Sequence, residues 1–344
     1  MNPSLLQSLD CLANSAGPRW VDAQLSAPEL DYVIRRMVMV VGWDDTLGES
    51  RVLGSGFLVG TEPDLIAITA THVLTEWADK VRPAQRHAFS GLHGDEDDLR
   101  RRLNQLVQQN LIRVVVRYGP PGFYCMLQVG SLTFTANPRD IDISTITLRG
   151  AKEAQLTGFE PFPVDLEPRR WHGAVLMAGF AKGSWWVPPD DGTDTFSLSQ
   201  NLIARFGYCR GRILKPPGFR CPMYQLNMPS LPGMSGGPVL ALRPSAGEAS
   251  APISPESQMH LTAIGVVSRD YIAPNIDGSD SGETWAAPIE DAYLLRLGWK
   301  DKSVYFGDVV RDGRIKSYGQ RARTATILQR SDGLIDLGFG LPDG

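Results

Sequence analysis

From Tyr32 onward the chain breaks into short apolar, β-branched runs separated by Gly, Pro and Asp. Examples are Val38–Trp43 (VMVVGW), Gly56–Val59 (GFLV), Leu65–Thr69 (LIAIT) and Ile112–Arg117 (IRVVVR). Runs this short, bounded by turn residues, predict an all-β sandwich or barrel. A second strand-rich stretch holds Ala174–Ala178, Leu202–Arg205, Met223–Leu226, Pro238–Leu242 and Leu261–Val267. The texture divides the chain into an N-terminal arm (1–30), a first β-rich domain (31–165), a second (166–300) and a C-terminal extension (301–344).

A few segments depart from strand texture. In Asp95–Leu111 the apolar residues Leu99, Leu103, Leu106, Val107 and Leu111 recur at helical spacing, which predicts an inserted helix over 95–111. Acidic residues at its start suit the positive helix N-terminus, and the arginines fall on its polar side. Leu5, Leu6, Leu9 and Leu12 predict a short amphipathic helix in the arm, and Glu290–Leu297 reads as a short helix closing the second half. Arg243–Gln258, rich in Pro, Ser and Ala, reads as an exposed loop, and Arg311-Asp312-Gly313 as a hairpin turn before a glycine-rich tail.

Composition narrows the class without naming a chemistry. The chain of 344 residues has 42% hydrophobic and 21% charged residues, an ordinary globular balance. With 34 Lys+Arg against 38 Asp+Glu, a net charge of -4 and no basic block, nucleic acid is not an expected partner. No run approaches the roughly 18–20 apolar residues of a membrane span, so no membrane partner is expected. The N-terminal residues lack a charged leader followed by an apolar run, and the four scattered cysteines suit a reducing compartment. Together these predict a cytoplasmic protein. The acids beside His93 read as a helix N-terminal turn rather than a metal site, and no metal or organic cofactor is expected.

Leu231–Leu240 (LPGMSGGPVL) raises the question of chemistry. Nucleophilic serine catalysis needs a hydroxyl, an imidazole to take its proton, a carboxylate to orient the imidazole, and N–H donors for the oxyanion. Ser235 has a glycine two positions before it and two after it, and the N–H groups of Gly233 and Ser235 suit an oxyanion hole. Of five histidines, His72 alone directly follows an apolar run with small residues (LIAITATHV), at a strand end. In Asp140–Ile146 (DIDISTI) both aspartates share a strand face, and a buried one needs a partner such as an imidazole N–H. Asp142 is preferred because the apolar strand continues after it, with Asp140 as the alternative.

Gly54-Ser55-Gly56-Phe57, Thr69-Ala70-Thr71-His72, Asp142-Ile143-Ser144 and Gly233–Pro238 together resemble the chymotrypsin/trypsin-like serine protease family, in its order of His, Asp, Ser. An α/β-hydrolase or a subtilisin runs these residues in other orders. The resemblance covers roughly residues 32–297. It implies two six-stranded antiparallel β-barrels, with the helical insertion and a short C-terminal helix. His72, Asp142 and Ser235 would act as the catalytic triad and Gly233 and Ser235 as the oxyanion hole, with Val267, Ser268 and Arg269 on the strand that pairs with substrate backbone.

Two departures place it near bacterial and intracellular branches. Met234 stands where digestive members carry the Asp of their zymogen switch, and Val73 where they carry a disulfide cysteine. The implied function is a serine endopeptidase acting through an acyl-enzyme on protein or peptide substrates. Regulation would come from a protein partner, the helical insertion or the tail. The alternative is a protease-like protein that binds peptides without turnover. Glu283 and Asp270 lie where an acid would favour a basic substrate residue, though ordinary solvated loop acids fit as well.

Overall fold

The computed structural model describes residues 20–23, 25, 27–60, 65–82, 92–119, 123–134, 141–149, 159–166, 173–181, 185–187, 197–244, 259–271, 282–299, 302–306, 324–329 and 335–340. The helix anticipated in the arm, Asp140, most of the 243–258 loop and the turn at Arg311 lie outside them. A two-residue strand β1 (Val21–Asp22) precedes helix α1 (Ala27–Ile34). The first barrel follows, from β2 (Met37–Asp44), β3 (Glu49–Gly60), β4 (Leu65–Thr69), β5 (Ile112–Arg117), β6 (Tyr124–Phe134) and β7 (Ser144–Arg149). These six close in the order β2-β3-β4-β7-β6-β5, all antiparallel. Val, Ile and Leu fill it because closure leaves no exposed edge and buries the inward side of every strand.

Two helices, α2 (Thr71–Val81) and α3 (Leu92–Gln108), stand between β4 and β5. The second is the helix anticipated at 95–111, begun three residues earlier and ended three residues sooner. Leu99, Leu103 and Leu106 are buried on its inner face. Arg102 departs from the expected polar side: it is buried, bonded to Asp98 at 2.8 Å, Asp79 at 2.6 Å and the Arg82 carbonyl at 3.1 Å. Helix α2 replaces the simple strand end expected after Thr69; Leu74, Trp77, Ala78 and Val81 give it a buried stripe at helical spacing.

The second half supplies β8 (Gly173–Phe180), β9 (Trp185–Val187), β10 (Ser197–Ser199), β11 (Leu202–Ile213), β12 (Met223–Leu226), β13 (Pro238–Pro244), β14 (Met259–Tyr271) and β15 (Glu283–Pro288). β8 and β11–β15 form a second closed antiparallel barrel, sealed where β13 pairs with β14, while β9 and β10 pair apart. The molecule is therefore all-β, with two six-stranded antiparallel barrels. The expected helix 290–297 is a 3-10 turn over Ile289–Leu294. Leu295 takes an extended conformation (φ -66, ψ 136), and Arg296–Trp299 becomes strand β16, paired with β17 (Lys302–Tyr305). β18 (Thr324–Gln329) and β19 (Ile335–Gly340) form a hairpin that extends β14 at Met259 and His260. Among the described residues no helix is long and apolar enough to cross a membrane.

Candidate active site

β4 and β7 are antiparallel neighbours with Thr69 opposite Ser144, so the residue three past one strand and the residue two before the other leave the same barrel end. That register brings His72 and Asp142, 70 positions apart, into contact. His72 Nδ1 lies 2.7 Å from Asp142 Oδ2, and the His72 backbone N–H donates to Asp142 Oδ1 at 2.9 Å. The second bond exists because α2 starts at Thr71: first-turn N–H groups of a helix lack internal acceptors, and the carboxylate supplies one at the positive helix end.

Asp142 is 1% exposed. Burial pushes its carboxyl up. The His72 charge, and hydrogen bonds from the His72 ring, the Ser268 hydroxyl and the His72 amide, together outweigh that, leaving it below the ordinary carboxylate value. An ionised carboxylate only accepts, so His72 Nδ1 carries the proton and Nε2 is the basic nitrogen.

Ser235 comes from the other barrel, in the loop between β12 and β13. The Met234 N–H donates to the Leu231 carbonyl at 2.9 Å, closing a turn. Gly233 has φ +96 and Gly236 φ +88, the left-handed region where side chains are strained. Space forbids them too: a Cβ on Gly236 would lie 2.1 Å from the Ser55 carbonyl oxygen, and one on Gly233 2.6 Å from that of Phe180. Among the described residues, neither the Gly233 nor the Ser235 N–H donates to a backbone carbonyl.

Two serines tie this loop to the rest of the site. Ser268 lies where the β14–β15 pairing shifts register between Val267 and Asp270, an irregularity of the kind that re-aims side chains. It is fully buried; its Oγ donates to Asp142 Oδ2, and its carbonyl accepts from Ser235 Oγ at 3.0 Å. One residue thus touches both the aspartate and the serine. Among the described residues no hydrogen bond joins Ser235 Oγ to the imidazole.

Ser55, on β3 of the first barrel, donates through Oγ to the Gly233 carbonyl at 2.8 Å and accepts from the Phe180 N–H at 2.7 Å. Its own N–H donates to the Ser235 carbonyl at 2.8 Å. Neither serine's supporting contacts were anticipated from the sequence. A buried carboxylate with two oxygens and one histidine implies a further donor, and that was the available signal for Ser268.

The residues expected on the substrate strand are placed as follows. The Val267 N–H donates to Gly237 and its carbonyl accepts from Gly236, each at 2.8 Å, so Val267 frames the serine loop. Ser268 turns its side chain to Asp142, and Arg269 continues β14. Glu283 is engaged by Arg210 and, at 2.7 Å, by Gln225, so it is neither a solvated acid nor free to receive a cationic substrate. Cys125 and Cys209 have thiols pushed up to about 12 by burial, which keeps them out of nucleophilic chemistry at neutral pH. Among the described residues no cluster of His, Cys, Asp and Glu fits a metal ion.

The pair of six-stranded antiparallel β-barrels is the fold that the resemblance to chymotrypsin/trypsin-like proteases implied. Solved structures similar to the chain include the active form of the Rv3671c protease from M. tuberculosis, at 14% identity and TM-score 0.40, covering 88% of this chain and 92% of that one. A serine-to-alanine mutant of Rv3671c from M. tuberculosis H37Rv, in an inactive form, matches at 13% and 0.38 over 75% and 83% of the two chains. An inactive form of the protease matches at 14% and 0.35 over 78% and 93%. No family model and no curated protein matches the chain.

Proposed function

We propose that the protein is a serine endopeptidase. The observation that carries this reading is the buried His72–Asp142 pair whose second donor, Ser268, also holds Ser235 Oγ. The reaction requires Ser235 Oγ to leave the Ser268 carbonyl and take His72 Nε2 as its acceptor instead. Ser235 Oγ then attacks the peptide carbonyl as its proton passes to Nε2, and the N–H groups of Gly233 and Ser235 receive the oxyanion. The proton goes on to the leaving amine as the C–N bond breaks. Water, deprotonated by the same nitrogen, releases the acid and restores Ser235. Asp142 holds the tautomer and stabilises the imidazolium throughout. The reaction needs no metal or organic cofactor, and we place it in the cytoplasm, under control of a protein partner or of the chain's own extensions.

The Ser235–Ser268 bond favours one second reading, a protease-like protein that grips peptides with its serine held away from the base. A pool of diverse peptides incubated with wild type and Ser235→Ala, followed by mass spectrometry, separates the two. New termini with wild type alone support the endopeptidase; intact peptides that co-purify equally with both proteins support the binder.

A further inference from the structure

The nucleophile loop, 229–235, has an anchor that the reaction itself does not use. Arg205 on β11 is 6% exposed, and a guanidinium so buried must be fully partnered. Its Nη1 donates to the Pro229 carbonyl, where the loop begins, and its Nε donates to Asp22 Oδ1 at 2.9 Å. The guanidinium also stacks over the Trp20 ring, 4.5 Å from its centre. Trp20 immediately precedes β1 and Asp22 is its second residue; β1 pairs with β11 at Val21–Phe206 and Asp22–Arg205 and is continued by an Ala23 N–H bond to the Ala204 carbonyl at 2.8 Å.

A second line of contact runs through apolar packing. Met234, next to the nucleophile, is fully buried in a cluster with Ala181, Leu226 and Met228, and both Trp20 and Leu231 pack against that cluster. Where an acid beside the serine would need a cationic partner, this loop is seated on apolar packing that residue 20 helps cover.

We propose that Trp20–Ala23 and Arg205 form a strap that positions the nucleophile loop, so that formation of the oxyanion hole depends on the docking of β1. A strand of two residues contributes little ladder energy by itself, and such short elements detach at low cost. Arg205 couples its docking to Pro229, and any ligand or modification that lifts β1 releases the loop. Arg205 and Asp22 are positioning residues. The idea rests on the endopeptidase reading only for its kinetic consequence.

The test is hydrogen exchange, followed by mass spectrometry, over the peptide spanning 227–237 in the full chain, for wild type, Arg205→Met, Arg205→Lys and Asp22→Asn. Turnover of a cleaved peptide is measured in parallel. Arg205→Met is expected to speed exchange in that peptide and to lower kcat roughly tenfold to a hundredfold with little change in KM, as loss of a charge-assisted hydrogen bond implies. Arg205→Lys should lie between, and Asp22→Asn should cost a few-fold. Asp22 is 66% exposed, so that variant carries the test if Arg205→Met does not fold. Unchanged exchange over 227–237 in folded variants overturns the strap. Faster exchange in a protein without turnover upholds the strap and sinks the endopeptidase reading alone.

Discussion

His72 and Asp142 reach each other from adjacent strands of one barrel, whereas the Ser235 loop is anchored from both barrels and from the N-terminal strand. In the first case a register, Thr69 opposite Ser144, fixes the geometry, and the start of α2 adds a backbone donor. In the second, Ser55 holds Gly233 and Ser235 from the first barrel, Val267 holds Gly236 and Gly237 from the second, and Arg205 holds Pro229. The His72–Asp142 contact is therefore held within its own barrel, with one bond, from Ser268, reaching it from the second, while Ser235 depends on how the parts dock. Disturbance of docking should cost the pair its Ser268 bond, leave His72 against Asp142, and displace the serine.

The largest effects should come from the groups proposed to react. Ser235→Ala or His72→Ala should lower kcat by about a millionfold in peptide hydrolysis, with folding intact by thermal melting. Asp142→Asn should cost about ten-thousandfold, because the amide stabilises the wrong tautomer. Equal activity of Asp142→Asn and wild type would break the assignment of the pair.

Ser55→Ala comes next and sharpens the comparison. It leaves the Gly233 carbonyl and the buried Phe180 N–H without a partner, a cost of about 1–3 kcal/mol. Activity should fall tenfold to a hundredfold, while the His72–Asp142 proton resonance in NMR stays where it is in wild type. A shift of that resonance would show that the two halves of the site are one unit.

The smallest effect concerns pH and lies away from the site. Glu290 is lifted to about 7 by burial, and Arg212, 2.9 Å away and shared with Asp291, offsets only part of this. A carboxyl raised above its unfolded value of ~4.3 contributes stability that is full below that pH and lost as pH rises through the folded value. Between about 4.3 and 7, wild type should lose melting temperature, on the order of a few degrees, and Glu290→Gln should lose less. Asp142 has the opposite sign: its lowered value gives stability present above the unfolded ~3.9 and lost only in stronger acid.

What the sequence disclosed follows the same division. Short apolar, β-branched runs such as IRVVVR and LIAIT marked the first barrel's strands, and the order of His, Asp and Ser singled out the residues proposed for the site, because strand ends and glycine turns leave local signatures. Helix α2 was hidden by the apolar run before it, although Leu74, Trp77, Ala78 and Val81 carry its period. The roles of Arg205, Ser55 and Ser268 were hidden for another reason, although Ser55 lies in the Gly54–Phe57 motif and Ser268 was expected on the substrate strand. Each sits in a strand whose local pattern is ordinary, and its importance comes from partners 24, 178 and 126 positions away.

The site of a covalent adduct tests most directly whether Ser235 is the nucleophile. Wild type and His72→Ala are treated with a fluorophosphonate and digested, and the modified peptide is sequenced by mass spectrometry. One phosphonyl group, on Ser235 and in wild type only, is the expected result. An adduct on another residue, or none in folded wild type, would contradict it.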